Sequence, residues 1–128
     1  MPLPYYLAAL DTILAVVLTM GLGGYVGYLR GKLKVPAPAT TGHPLFEQGF
    51  RAHMNTIENL VLMLPLLWVA SVFFGGQIPF WMGLTWVIGR IVFAVGYMQT
   101  DPRWREPGFG ISFLALLGLL GLSILGVL

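Results

Sequence analysis

The chain has 128 residues, 57% of them hydrophobic and only 9% charged, where soluble domains carry about 25% charged residues. So few charges cannot clothe a water-exposed surface, and a net charge of +2 gives no basic field for nucleic acid. No cysteine is present, which excludes disulfides, a protein thiolate and cysteine-based metal sites; any thiol in the chemistry arrives with a ligand.

That composition is the one expected of an integral membrane protein, and four apolar segments follow in chain order. The first, about Tyr5 to Leu29, has no Lys or Arg ahead of it and is long enough to span, so it is expected to stay as a helix rather than be cleaved as a signal. Asp11 lies about two turns in and reads as a polar contact at the outer end. Gly23 and Gly27 form a G-x-x-x-G pair, a spacing that lets helices approach closely in lipid. The second span runs about Asn55 to Phe74, with Pro65 expected to kink or break it. The third covers about Pro79 to Met98 and the fourth about Phe109 to Leu128, the latter with Gly118 and Gly121. Each is near the ~20 residues needed to cross ~30 Å of hydrocarbon, and in lipid such spans are helical. With their flanks, the helices are expected at about 5–33, 44–75, 78–99 and 107–128 of one domain covering the whole chain. The connecting stretches "KVPAPATTGHP", "GGQIP" and "DPRWREPG" carry the Pro and Gly of turns.

Charge placement suggests an orientation. Arg30, Lys32 and Lys34 lie in the first loop and Arg103 and Arg105 in the third, while the second loop is uncharged. The positive-inside rule puts loops one and three in the cytoplasm and both termini outside. Tyr5, Tyr6, Phe80 and Trp81 would then form an outer aromatic belt, with Trp104 at the inner one.

The second segment opens on "FRAHMNTIENL", polar where a hydrophobic span begins. At 100° per residue, Glu47, Arg51, Asn55 and Glu58 share a wedge of about 80°, with His53 on roughly the opposite side. Ionisable groups at this depth cost several kcal/mol unless paired or facing a cavity. Arg51 and Glu58 could simply neutralise each other and anchor the helix end. Arg90, near the middle of the third span, also needs an anion: Glu58, in a structural ion pair, or a bound ligand. Arg30, Arg51, Asn55, Glu58, Tyr97, Arg103 and Arg105 together would suit a small zwitterion with excess negative charge. Arginines would fork onto its carboxylates, Glu58 would take its amine and Asn55 its amides.

"RAHMNTIE" (51–58), "LWVASVFF", "GRIVFAVGY" (89–97) and "DPRWREPGF" resemble the family of membrane-associated proteins in eicosanoid and glutathione metabolism. The likeness is nearest to its microsomal glutathione transferase and leukotriene-C synthase type and is that of a bacterial member. It covers about Thr40 to Phe109, with a looser match at Arg30. The resemblance implies an all-α membrane protein, a four-transmembrane-helix bundle assembling as a homotrimer, with glutathione bound between subunits. It makes Arg30, Arg51, Asn55, Glu58 and Tyr97 glutathione contacts and gives thiol activation to a third-loop arginine, Arg105, with Arg103 as the alternative. Phe93 stands where relatives often carry a tyrosine, and Asn59 replaces an aromatic residue found in some.

The expected activity is conjugation of the glutathione thiolate to lipophilic electrophiles, with reduction of lipid hydroperoxides as a further reaction. Glutathione is the co-substrate, no metal is needed, and the hydrophobic partner enters from the membrane lipids. The expected location is a bacterial inner membrane, or a microsomal one if the source is eukaryotic. Two other readings stand beside it. A non-enzymatic lipid-binding protein of the same family would fit Phe93. A small four-helix multidrug exporter would want a lone acid without arginine company.

Overall fold

The computed structural model describes residues 2–128. It consists of four helices, α1 Leu3–Leu33, α2 Pro44–Phe74, α3 Gln77–Tyr97 and α4 Glu106–Val127, with a 3-10 turn, Pro102–Arg105, between the last two. All four are long and apolar enough to cross a membrane. The chain is an all-α, multi-pass, four-helix membrane protein.

Local chemistry sets the helix ends. His43 caps α2 by accepting the Leu45 N–H on Nδ1 at 3.1 Å, and Pro44 follows at the first helical position, where a missing N–H does no harm. Lys34 closes α1 in the left-handed conformation, its N–H returning to the Arg30 carbonyl, as helix C-termini commonly end. Pro65 does not break α2, which runs through it to Phe74.

Unequal helix lengths create the place where a site can form. α2 has 31 residues and α3 has 21, joined only through Gly75 and Gly76. Starting level at that turn, α2 overshoots α3 at the far end by about 15 Å. Its overhang bears Glu47 and Arg51, and Gln48 between them donates to the Gln99 carbonyl just past the end of α3, at 3.4 Å.

The main core is apolar: Met63, Leu67 and Ala70 of α2 meet Trp86 of α3, Leu119 of α4 and Ala8 and Ala15 of α1. A second cluster, Val26, Leu29, Val35 and Phe46, ties the first loop to α1 and α2. The outer surface is also apolar, with Val17, Met20, Leu114 and Leu125 exposed, as lipid rather than water demands.

α3 and α4 meet backbone to backbone. A Cβ on Gly89 would lie 2.7 Å from the Ser112 nitrogen, and Cβ atoms on Gly96 and Gly108 would collide with the Trp104 carbonyl and the Phe93 backbone. These contacts hold the third loop tightly against the end of α3. The G-x-x-x-G pair of α1 divides instead: Gly23 receives the His53 ring, with 3.1 Å to the position of a Cβ, while Gly27 has nothing within 4 Å. His53 is thus a packing residue between α2 and α1.

One sequence expectation changes here. Asp11 is not a polar contact at the outer end: it is completely buried, and neither carboxylate oxygen has a hydrogen-bond partner. It faces Gly83 of α3, where any Cβ would collide with it. The rotation of α1 that turns Ala8 and Ala15 into the core turns Asp11 inward with them. Of the residues expected in the outer aromatic belt, Tyr6 and Trp81 are exposed and Tyr5 stacks on Trp68 at 6.4 Å.

Candidate functional site

At the end of the bundle where α2 overshoots, Asn55, Phe93, Tyr97, Arg105, Glu106 and Phe109 line a cavity of about 340 Å³. Each wall residue has a structural reason to be there. Asn55 lies near the level at which α3 ends. Phe93 and Tyr97 are one turn apart on α3, their rings edge to face at 5.4 Å. Arg105 closes the 3-10 turn, and its guanidinium lies 4.9 Å from the centre of the Tyr97 ring, a cation–π contact. Glu106 and Phe109 open α4. The cavity therefore has aromatic walls, one guanidinium, one carboxylate, one phenol and one carboxamide.

Behind this wall lies Arg90, 0% exposed. Its Nη1 donates to Asn55 Oδ1 at 2.7 Å. Nε and Nη2 donate to Ser112 Oγ at 3.2 and 2.9 Å. Its guanidinium also lies 4.2 Å from the centre of the Phe93 ring. Ser112 Oγ in turn donates to the α4 backbone, with the Gly108 carbonyl at 3.0 Å and the Phe109 carbonyl at 3.1 Å. The expected Arg90–Glu58 ion pair is not made. Glu58 is exposed on the outward face of α2, while neutral acceptors on α2 and α4 lie within reach of the guanidinium. A buried cation needs its N–H groups satisfied, and a carboxamide and a hydroxyl do that here.

The remaining sequence candidates lie outside the cavity wall. Arg51 shares the stripe with Asn55 and Glu58, but like Glu58 it is exposed on the single chain. Among the described residues the one ion pair is Arg103–Asp101, at 2.9 Å, so Arg51 and Glu58 do not neutralise each other. Arg30 is engaged by the first loop: Nη1 donates to the Ala39 carbonyl at 2.6 Å and the Val35 carbonyl at 3.4 Å, with its guanidinium 4.7 Å from the centre of the Phe46 ring. Arg103 does not line the Tyr97 cavity. It is 81% exposed and held by Asp101, whose carboxyl lies below its ordinary value because the Arg103 side chain and backbone N–H both donate to it.

Ser112 and Glu106 were missed at the sequence level. Ser112 is one of only two hydroxyl residues in a helix that is otherwise apolar beyond Glu106, and a polar residue inside such a span is a signal in itself. Glu106 was hidden among the other charges of the third loop. No cluster of three metal-ligating side chains occurs among the described residues.

Fold and site together define a class: a four-helix membrane protein with a polar, arginine-bearing cavity at one end of an apolar bundle. The MAPEG family model matches residues 8–125, and the chain belongs to that family. An uncharacterised protein of Synechocystis is 36% identical over 125 residues, 98% of this chain and 88% of the relative. Human microsomal glutathione S-transferase 2 is 40% identical over 98 residues, covering 75% of this chain and 66% of that protein, just under two thirds of its length. Bovine leukotriene C4 synthase is 34% identical over 122 residues, 95% of this chain and 81% of the synthase.

Proposed function

We propose that the protein is a membrane-bound glutathione transferase that joins the glutathione thiolate to lipophilic electrophiles, with reduction of lipid hydroperoxides as a second use of the same thiolate. The observation that carries this reading is the single cavity joining Asn55, Tyr97 and Arg105 beside the apolar surface. Relatives named for glutathione transfer and leukotriene C4 synthesis support it.

The chemistry needs no nucleophile from the chain. A thiol of pKa near 8.5–9 is mostly protonated at neutral pH and reacts through its thiolate. Lowering that value by two units requires about 2.7 kcal/mol of preferential stabilisation of the anion. Arg105, half-buried against Tyr97, is suited to supply it in poorly solvated surroundings. The sulfur electron pair forms the new C–S bond, and the bond to the leaving atom of the electrophile breaks with its pair. Arg103 is exposed and engaged by Asp101, which favours Arg105 for this role.

Arg51 and Glu58 enter through assembly. Charged side chains at this depth are costly against lipid, and both are exposed on the isolated chain. A homotrimer in which a neighbouring subunit covers this face of α2 would shield them and let them grip the glutathione carboxylates and amine. Arg30 would join them only by releasing its loop carbonyls. The location proposed is a bacterial inner membrane, or a microsomal membrane in a eukaryote, with loops one and three in the cytoplasm.

The test is calorimetric titration of the detergent-purified protein with glutathione, with thiolate read by ultraviolet difference absorbance. Wild type should bind and show thiolate at neutral pH. Arg105→Ala should bind but lose up to about 100-fold in thiolate and turnover, the equivalent of two pKa units, while Arg103→Ala should stay close to wild type. Unchanged turnover in Arg105→Ala would move the role to Arg103. Wild-type protein that takes up lipid but no glutathione would favour the non-enzymatic lipid-binding reading. The apolar groove of about 460 Å³ between Ile91, Val92, Val95, Gly96, Gln99 and Trp104 is the feature that keeps that reading in view.

A further inference from the structure

We infer that Arg90 is a positioning residue for this site: by binding Asn55 Oδ1 it turns the Asn55 carboxamide so that its N–H₂ group is the one left for a ligand, and the ligand atom met there is a hydrogen-bond acceptor. The inference rests on the glutathione reading and narrows it. The contact at Asn55 goes to a carbonyl or carboxylate oxygen of the peptide and not to one of its N–H groups.

The argument is one of donors and acceptors. A guanidinium has five N–H donors and no acceptor, so only the oxygen end of an asparagine can face it. At 2.7 Å from Nη1, Asn55 Oδ1 makes a charge-assisted hydrogen bond, stronger than a neutral one. Flipping the amide would set two N–H donors against a buried cation. Arg90 is held against rotation by its two bonds to Ser112 and by the Phe93 ring, and Ser112 is anchored on α4. The orientation of one side chain in the cavity wall is thus fixed by three helices. No acid pairs with Arg90 among the described residues: its partners are neutral acceptors, so it keeps its positive charge behind the cavity wall, which also favours acceptor and anionic ligand atoms there.

Two measurements test this, one of them independent of glutathione. In nitrogen-15 spectra of detergent-solubilised protein, the Asn55 side-chain amide should be a resolved, exchange-protected pair. Arg90→Gln, or Arg90→Lys if the Gln variant does not fold, should broaden it and speed its exchange at least tenfold. An Asn55 resonance indifferent to both substitutions overturns the inference. The second measurement uses Asn55→Asp, which replaces the donor with an oxygen while offering Arg90 a carboxylate. Its melting temperature should equal or exceed that of wild type, yet its KM for glutathione should rise about tenfold or more, the loss of one hydrogen bond plus a repelled acceptor, with a smaller change in kcat. A merely structural Arg90–Asn55 contact would leave KM unchanged, and that result also overturns the inference. Wild-type protein that ignores glutathione would sink the functional reading alone, and the amide spectrum would still decide the role of Arg90.

Discussion

Arg90 and Asp11 are both 0% exposed and sit on helices that pack together, yet the bundle treats them in opposite ways. Arg90 has hydrogen bonds to two helices and an aromatic ring against its guanidinium. Asp11 has neither a hydrogen bond nor an ion pair, and lies against Gly83. Polar burial is offset where partners converge and uncompensated where they do not. The supported group stands directly behind the candidate site, and the unsupported one lies toward the other end of the bundle. Arg90 therefore belongs to a built network, and Asp11 to a place where the fold tolerates a penalty.

The sharpest way to break this contrast is to remove each side chain in turn. Arg90→Ala should destabilise the protein by about 3 to 5 kcal/mol, the range for truncating a large buried side chain, since it also strips Ser112 and Asn55 of their donors. Thermal unfolding in a single detergent would show it as a large fall in melting temperature. A loss under about 1 kcal/mol, the net worth of a single ordinary hydrogen bond, would mean that the network contributes little. Gly83→Ala comes next, because its Cβ has no room beside the Asp11 carboxylate and comes within 3.1 Å of Leu67. It should cost about 1 to 3 kcal/mol, as overpacking typically does. The same substitution should cost distinctly less in an Asp11→Ala background, where the obstructing group is gone. Strict additivity would show that Asp11 and Gly83 do not share that space.

Asp11→Leu should have the reverse sign. The two side chains have the same branched heavy-atom outline, and the replacement removes two unpartnered oxygens from an apolar setting. A gain of about 1 to 3 kcal/mol is expected, read as a higher melting temperature. A marked loss would reveal that Asp11 has a partner after all.

How much of this could be read beforehand follows from what each feature depends on. The spans were legible because lipid requires about 20 apolar residues per crossing, and the continuation of α2 past Asn55 followed from its polar stripe. That Asn55, Tyr97 and Arg105 converge follows from residue types near helix ends that must meet on one side of the membrane. What periodicity does not contain is the rotation of each helix about its axis against its neighbours. That rotation sends Glu58 outward and Asn55 toward Arg90, so the obvious acid was the wrong partner and a carboxamide the right one. It also buries Asp11, and it divides the α1 glycine pair by packing Gly23 on His53 while leaving Gly27 open. The loop bonds of Arg30 were not legible for another reason, since their acceptors are carbonyls whose position depends on how residues 35–39 turn.

The smallest expected effect concerns the exposed counterpart of these buried groups, the Asp101–Arg103 pair at the entrance to the 3-10 turn. The Asp101 carboxyl is held below its ordinary value by hydrogen bonds from the Arg103 side chain and backbone N–H. Its contribution to the turn is therefore fully present above the unfolded carboxyl value and is lost as pH falls through the lower, folded one. Both groups are open to solvent, so screening leaves the ion pair little net effect. Asp101→Asn keeps an oxygen to accept the Arg103 N–H and removes only the charge, and asparagine serves as well as aspartate in such a cap. No measurable change in melting temperature or turnover is expected at neutral pH. Acidification should speed exchange of the Arg103 amide in wild type beyond its intrinsic rate, and should leave the Asn variant unaffected. A large loss of turnover in Asp101→Asn would show that this exposed pair aims Arg105 as firmly as the buried network aims Asn55, and the contrast between supported and unsupported charge would then have to extend to the surface.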